Sequence, residues 1–251
     1  MQQPETLSLL GQPLYAPRLP KAERAKAEEA LAAARAAYDT QRSEPPAILA
    51  FARATVAVGH VGDALEILTH GLEARPDDPG LLFERGRGYI LIRKFEAAQR
   101  DLRKAAAALP DANCALGLAL YLSADFARAR ESYAKCAQPG VLGGLADRRA
   151  GASTQTPASP GDPPPPAPPP LRFPGSVART DRDRRAAPAI AESYTNAIAH
   201  LLAGDGIAAT EELKKIVEKN RSEWMDPVYI AAEADYARLY KPARSKKKKT
   251  T

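Results

Sequence analysis

The sequence predicts an all-α fold of stacked antiparallel helix pairs, and three observations carry that prediction. Ala, Leu, Glu, Lys and Arg dominate the 251 residues while aromatics make up only 6%, a balance that favours helix and is too poor in rings for most β-sandwiches. Of the 23 prolines, eleven fall between Pro139 and Pro174, which leaves the helical segments nearly free of breakers. Side-chain size also recurs at a fixed interval. Pro76 and Pro110 stand 34 residues apart, and at the same offset Ala64 falls on Ala98, Leu68 on Leu102, Gly71 on Ala105 and Ala52 on Gly86.

Taken in order, residues 1–44 read as a strap and a capping helix. Leu10, Leu14 and Tyr15 of the Leu7–Tyr15 stretch are expected to pack on an Ala-rich helix over Lys21–Tyr38. Residues 45–138 hold three helix pairs. In the second, Leu82–Leu91 forms one helix, Arg93-Lys94 the turn and Phe95–Ala107 the other. Gly86 and Ala98 let the two backbones approach, Phe95 and Leu102 fill the space beside them, and Pro110 stops the second helix. A third copy fits with three residues removed: Gly117, Phe126, Ala129, Tyr133 and Cys136 fall beneath Gly86, Phe95, Ala98, Leu102 and Ala105. Cys114 and Cys136 have neither metal-ligand spacing nor a CxxC motif, and are read as buried reduced thiols, with a disulfide as the alternative.

Residues 139–185, with Gly143-Gly144 and the run Pro163–Pro170, are expected to be a flexible polyproline-type linker. Helix returns over Ala186–Ala203 and Ile207–Asn220, a divergent fourth pair around the turn Gly204-Asp205-Gly206. A last helix over Pro227–Tyr240 completes residues 186–240 as a C-terminal cap. The sequence leaves open whether this part rests on the third pair or stands apart. Residues 241–251 form a basic tail that is expected to be disordered.

Gly86, Tyr89, Phe95, Ala98, Ala105 and Pro110, with their counterparts in the two flanking copies, make residues 45–138 resemble the tetratricopeptide repeat family. An early Trp in each first helix is missing, as is a closing Pro in the third copy. The resemblance implies a right-handed α-solenoid whose first helices line a concave groove for a protein or peptide partner. The groove positions are Leu49, Arg53 and Val56, then Phe83, Arg87 and Ile90, then Cys114, Leu118 and Tyr121. Arg53 and Arg87 share a column, so their forks either meet an acidic partner beside Phe83 and Tyr121 or pair with Glu84. Family members that clamp chaperone C-termini use Lys and Asn at the positions of Leu49, Arg53, Glu84, Asp111 and Ala115. That role is not expected here.

Chemistry is sparse. His60, His70 and His200 have no HExxH or Cys partners, so no metal is expected. There is no GxxxxGK[ST], no complete dinucleotide fingerprint and no GxSxG, so neither cofactor nor catalytic residue is expected. Of the net charge of +6, all arises from Lys241, Arg244 and Lys246–Lys249. Without these six the chain carries 30 basic and 30 acidic residues, which argues against a nucleic-acid-reading fold and leaves only tail-mediated tethering to nucleic acid or anionic lipid. No signal peptide and no apolar run of about 18 residues is visible, so a cytoplasmic protein is expected. The expected function is a non-enzymatic adaptor. The alternative is a structural or oligomerisation module that fills its own groove.

Overall fold

Proline opens several of the helices and aspartate opens others. Pro45, Pro79 and Pro227 occupy first-turn positions, where a missing N–H costs nothing. Asp78, Asp125, Asp205 and Asp226 cap by accepting backbone N–H groups of the first turn. The computed structural model describes residues 3–138, 140–152 and 181–240. Among these, a short antiparallel hairpin, β1 (Thr6–Leu7) with β2 (Pro13–Leu14), precedes eleven α-helices. The helices are α1 (Lys21–Thr40), α2 (Pro45–Ala57), α3 (Val61–Ala74), α4 (Pro79–Leu91), α5 (Phe95–Ala105) and α6 (Ala112–Leu122). They continue with α7 (Phe126–Tyr133), α8 (Gly140–Ala152), α9 (Asp181–Leu202), α10 (Gly206–Lys219) and α11 (Pro227–Leu239). The all-α expectation holds.

From α1 to α8 each helix packs on the next along the chain, and α2 packs on α4, α4 on α6 and α6 on α8. The relation α9–α10–α11 repeats that of α4–α5–α6. The backbone records the same repeat at the turn of each pair, where Gly59, Arg93, Ala124 and Gly204 all have φ between 61° and 93°. Two of these positions lack glycine, and each costs about 1–2 kcal/mol for placing a Cβ in the left-handed region.

Close approach defines the interior of each pair. A Cβ on Gly86 would lie 2.6 Å from Leu102 Cγ, and one on Gly117 would lie 2.9 Å from the Tyr133 ring. Leu102 is fully buried against Ala98, and Tyr133 is buried against Ala129. A first core of Ile48, Ala52, Ala64, Leu68, Leu72, Leu81 and Leu82 serves the first two pairs, closed by Ala105 and Ala112. A second, larger one runs from Leu14 of the strap through α6 and α8 to α11.

Three expectations are corrected. Residues 139–185 are not linker throughout, because α8 occupies 140–152 and α9 begins at Asp181. Leu142, Leu145, Ala146 and Ala150 form a buried stripe on α8, and that burial offsets the roughly 1 kcal/mol that each helical glycine costs. The remainder, including Pro163–Pro170, lies outside the described residues. The strap does not lie on α1. Its hydrogen bonds run instead to Ile92, Gly62, His60, Arg221, Trp224 and Glu233, and its Ala16 and Pro17 sit against Gly59. Cys114 and Cys136 are joined in a disulfide, with Cα atoms 5.0 Å apart, where reduced thiols were expected. Stacking the pairs brought together two residues 22 apart in the chain.

Two substitutions test this reading of the pairs. Gly86→Val is expected to lower stability by about 1–3 kcal/mol through overpacking against Leu102. Ala124→Gly, at an exposed turn with φ of 61°, is expected to raise it by about 1 kcal/mol. Urea unfolding followed by circular dichroism measures both.

Candidate functional site

The nine groove positions fall into three columns along α2, α4 and α6, and accessibility divides them. Leu49, Phe83 and Cys114, in the opening turns, are all partly exposed. In the next column Arg53 is exposed, Arg87 partly so and Leu118 is sealed. In the last, Val56 is partly exposed whereas Ile90 and Tyr121 are buried. Leu49, Arg53, Val56, Phe83 and Arg87 therefore belong to an accessible face, and Ile90, Leu118 and Tyr121 do not. Cys114 lies at the edge of that face with its sulfur bonded to Cys136.

At the centre of the open face two arginines converge on one internal acid. Arg53 places Nε 2.8 Å and its second guanidinium nitrogen 2.7 Å from Glu84 Oε1. Arg87 Nη1 donates to both Glu84 oxygens at 2.9 and 3.1 Å and stands 5.5 Å from the centre of the Phe83 ring. Of the two readings of these arginines, the pairing with Glu84 is the one observed. Burial lowers the Arg87 pKa, with the Glu84 charge opposing the shift. The side chain of Arg53 is 45% exposed, against 10% for Arg87 and 8% for Glu84. Arg53 is the most exposed member of the cluster, so its guanidinium is the one that faces outward.

The rest of the groove is closed by the chain itself. Helix α11 packs on α6, and Ile230, Ala231 and Ala234 join Leu118 and Tyr121 in one core. Buried polar groups fix this docking. Arg149 of α8 grips Asp235 of α11 with two bonds of 2.6 and 3.0 Å and also donates to Tyr121 Oη. Tyr194 Oη donates to Asp235 at 2.6 Å, which leaves Tyr121 as the donor in the 2.9 Å contact between the two hydroxyls. The groups form a closed ring, Arg149 to Tyr121 to Tyr194 to Asp235 and back. Burial pushes Tyr121 up to about 12 and Tyr194 well above its ordinary value, so both keep their protons for these bonds. Burial also works to raise Asp235, but the Arg149 hydrogen bonds and charge, with Arg238 and Tyr194, outweigh it and hold the carboxyl below 3.8.

A second anchor lies two residues earlier. Glu233, fully buried, accepts from Arg93 at 2.6 and 2.9 Å and from the backbone N–H of Leu9 at 2.8 Å. One carboxylate thus ties α11 to the α4–α5 turn and to the strap. Trp224 Nε1 donates to Tyr15 O at 2.8 Å and secures the same junction. The question left open by the sequence is answered: the C-terminal helices rest on the third pair.

Sequence reasoning did not single out Arg93, Arg149, Tyr194, Glu233 or Asp235. A signal did exist, because Glu233 and Asp235 are embedded in the apolar run Val228–Tyr236, where solvated acids do not belong. His60, His70 and His200 are surface residues paired with Glu5, Glu73 and Asp205. Among the described residues no cluster able to hold a metal ion occurs, and no helix is long and apolar enough to cross a membrane. The tail Lys241–Thr251 lies outside the described residues. Comparison with protein-family models, curated proteins and solved structures finds no match for this chain.

Glu233→Gln leaves Arg93 buried without its counter-charge and is expected to destabilise the protein by about 3–5 kcal/mol in chemical unfolding. Because the folded pKa of Asp235 is depressed, the stability it adds is complete above its ordinary value of 3.8 and is lost as pH falls through the lower folded value. Between pH 7 and pH 2.5, wild type is expected to lose more stability than Asp235→Asn, as read by urea midpoints at the two pH values.

Proposed function

We propose that the chain is a non-enzymatic interaction scaffold, a right-handed α-solenoid of tetratricopeptide-like helix pairs that holds a peptide or protein partner on the open part of its concave face. The observation that carries this reading is the division of the groove. Leu49, Phe83, Arg53 and Val56 remain accessible beside a braced Arg53–Glu84–Arg87 cluster, while Leu118 and Tyr121 share a core with α11 and Ile90 is buried. An apolar row next to an outward guanidinium suits a segment carrying one large apolar side chain and a nearby carboxylate. Glu84 holds both arginines in place before a partner arrives, so little side-chain entropy is lost on binding.

A second reading, a structural or oligomerisation module, is supported by the occupation of the third-pair groove by α11. Light scattering from micromolar to near-millimolar concentration separates the two. A mass that stays monomeric removes self-association. The tail Lys246–Lys249 adds a third contact, electrostatic and salt-sensitive, for anionic surfaces. For location, a compartment that permits thiol oxidation fits the joined Cys114 and Cys136 better than the cytoplasm expected from the N-terminal sequence.

The test is selection from a random peptide library on the intact chain, followed by affinity measurement of the enriched sequences. Enrichment of peptides with an acid near an aromatic or branched residue is expected. Arg53→Glu is expected to weaken them about tenfold or more, close to 1.4 kcal/mol, with the helical spectrum unchanged. Lys214→Glu on the exposed side of α10 is the control and leaves affinity as it was. Equal binding by all three proteins rejects the assigned face.

A further inference from the structure

The third helix pair is the shortest. Its second helix, α7, has 8 residues, against 11 in α5 and 14 in α3. In α5 the last residue, Ala105, is fully buried at the open end of the pair. In the third pair the helix has ended at Tyr133, and Cys136 reaches the corresponding place from a turn held by its N–H to Tyr133 O at 3.0 Å. There it is bonded to Cys114, in the first turn of α6. A covalent bond stands where the longer pair has another turn of helix. Four residues beyond Cys136, α8 begins, and α8 carries the Arg149 that grips Asp235 of α11.

We propose that Cys114–Cys136 is a thiol–disulfide exchange site whose oxidation state sets how firmly α8, and through Arg149 the C-terminal helix α11, is held on the third pair. The co-substrate is a small thiol and its disulfide. Cys114 is partly exposed whereas Cys136 is buried, so the attacking thiolate meets Cys114 Sγ first. The sulfur–sulfur bond breaks, a mixed disulfide forms at Cys114, and Cys136 leaves as a thiolate that takes a proton. A second thiolate attacks the sulfur of the small thiol, releasing Cys114 and the disulfide of the small thiol. Two electrons pass from two thiols to one cystine, and oxidation is the reverse. Cys114 also borders the row of Leu49 and Phe83, so the site opens onto the accessible face, but the proposal rests on the fold and not on any partner.

The test uses the full chain, treated with glutathione disulfide or with dithiothreitol, and reads thiol alkylation by mass together with hydrogen exchange. The oxidised protein is expected to take up no alkylating groups and the reduced protein two. On reduction, exchange in residues 134–152 and 227–239 is expected to accelerate about tenfold, while residues 61–105 keep their rates, because local opening leaves the first two pairs intact. Cys114→Ser, with one thiol left, is expected to show the reduced exchange pattern under both treatments. Full alkylation after oxidation overturns the proposal. So does equal exchange of α8 and α11 in the two states, and so does a uniform acceleration that includes α3 to α5.

Discussion

Two helices can share an interior only if their backbones come close enough for side chains of one to reach past the axis of the other. That approach is the constraint on which the rest of the molecule depends. Where Gly86 faces Leu102 and Gly117 faces Tyr133, a single added carbon would force the neighbour aside. Glycine in a helix costs about 1 kcal/mol in propensity, and here the loss is offset by complete burial of Leu102 and near-complete burial of Tyr133. One pair still leaves an apolar flank open, so each pair requires the next. The chain of packing from α1 to α8 follows from that need.

Helix α6 meets α8 as α4 meets α6, and a further contact is fixed by charge. Helix α6 is also buried with α11, whose Glu233 and Asp235 are sealed against Arg93 and Arg149. Replacing such pairs with packed hydrophobic residues often does no harm to stability, whereas breaking one partner does. Their contribution here is register. A shift of α11 by one residue would carry Glu233 away from Arg93, and Asp235 away from Arg149 and Tyr194. The strap adds to the same fixation, since the Leu9 N–H shares Glu233 with Arg93.

The candidate binding face is what this closure leaves uncovered. It follows the opening turns of α2, α4 and α6 and extends along α2 through Arg53 and Val56. Its polar centre is not a loose pair of arginines but a cluster held by a nearly buried Glu84. An exposed guanidinium fixed from behind offers directed donors to an incoming acid, which flexible lysines do not. The apolar row beside it is short, which is why the proposed partner is a segment of a few residues and not a long helix.

Much of the fold was legible from residue size alone. Small and large side chains recurring at 34 and then 31 residues located the pairs, their turns and the crossing glycines, because those properties are local and repeat. Leu49, Arg53, Val56, Phe83 and Arg87 were named only among nine groove positions, with Glu84 as the alternative partner of the arginines, and nothing in residue size told the open positions from the closed. The helix α8 was hidden by its glycines and by the prolines that follow it, since its stability comes from α7 and not from propensity. The buried ring of Arg149, Tyr121, Tyr194 and Asp235, the Arg93–Glu233 anchor and the Cys114–Cys136 bond were decided only in three dimensions. Each joins residues whose separation, from 22 to 140 positions, obeys no repeat. The sequence by itself determined helix pairs and their spacing, since hydrophobic periodicity is written into consecutive residues. Tertiary structure alone decided which part of the groove stays open, because that depends on where a distant helix finds counter-charges for its buried acids.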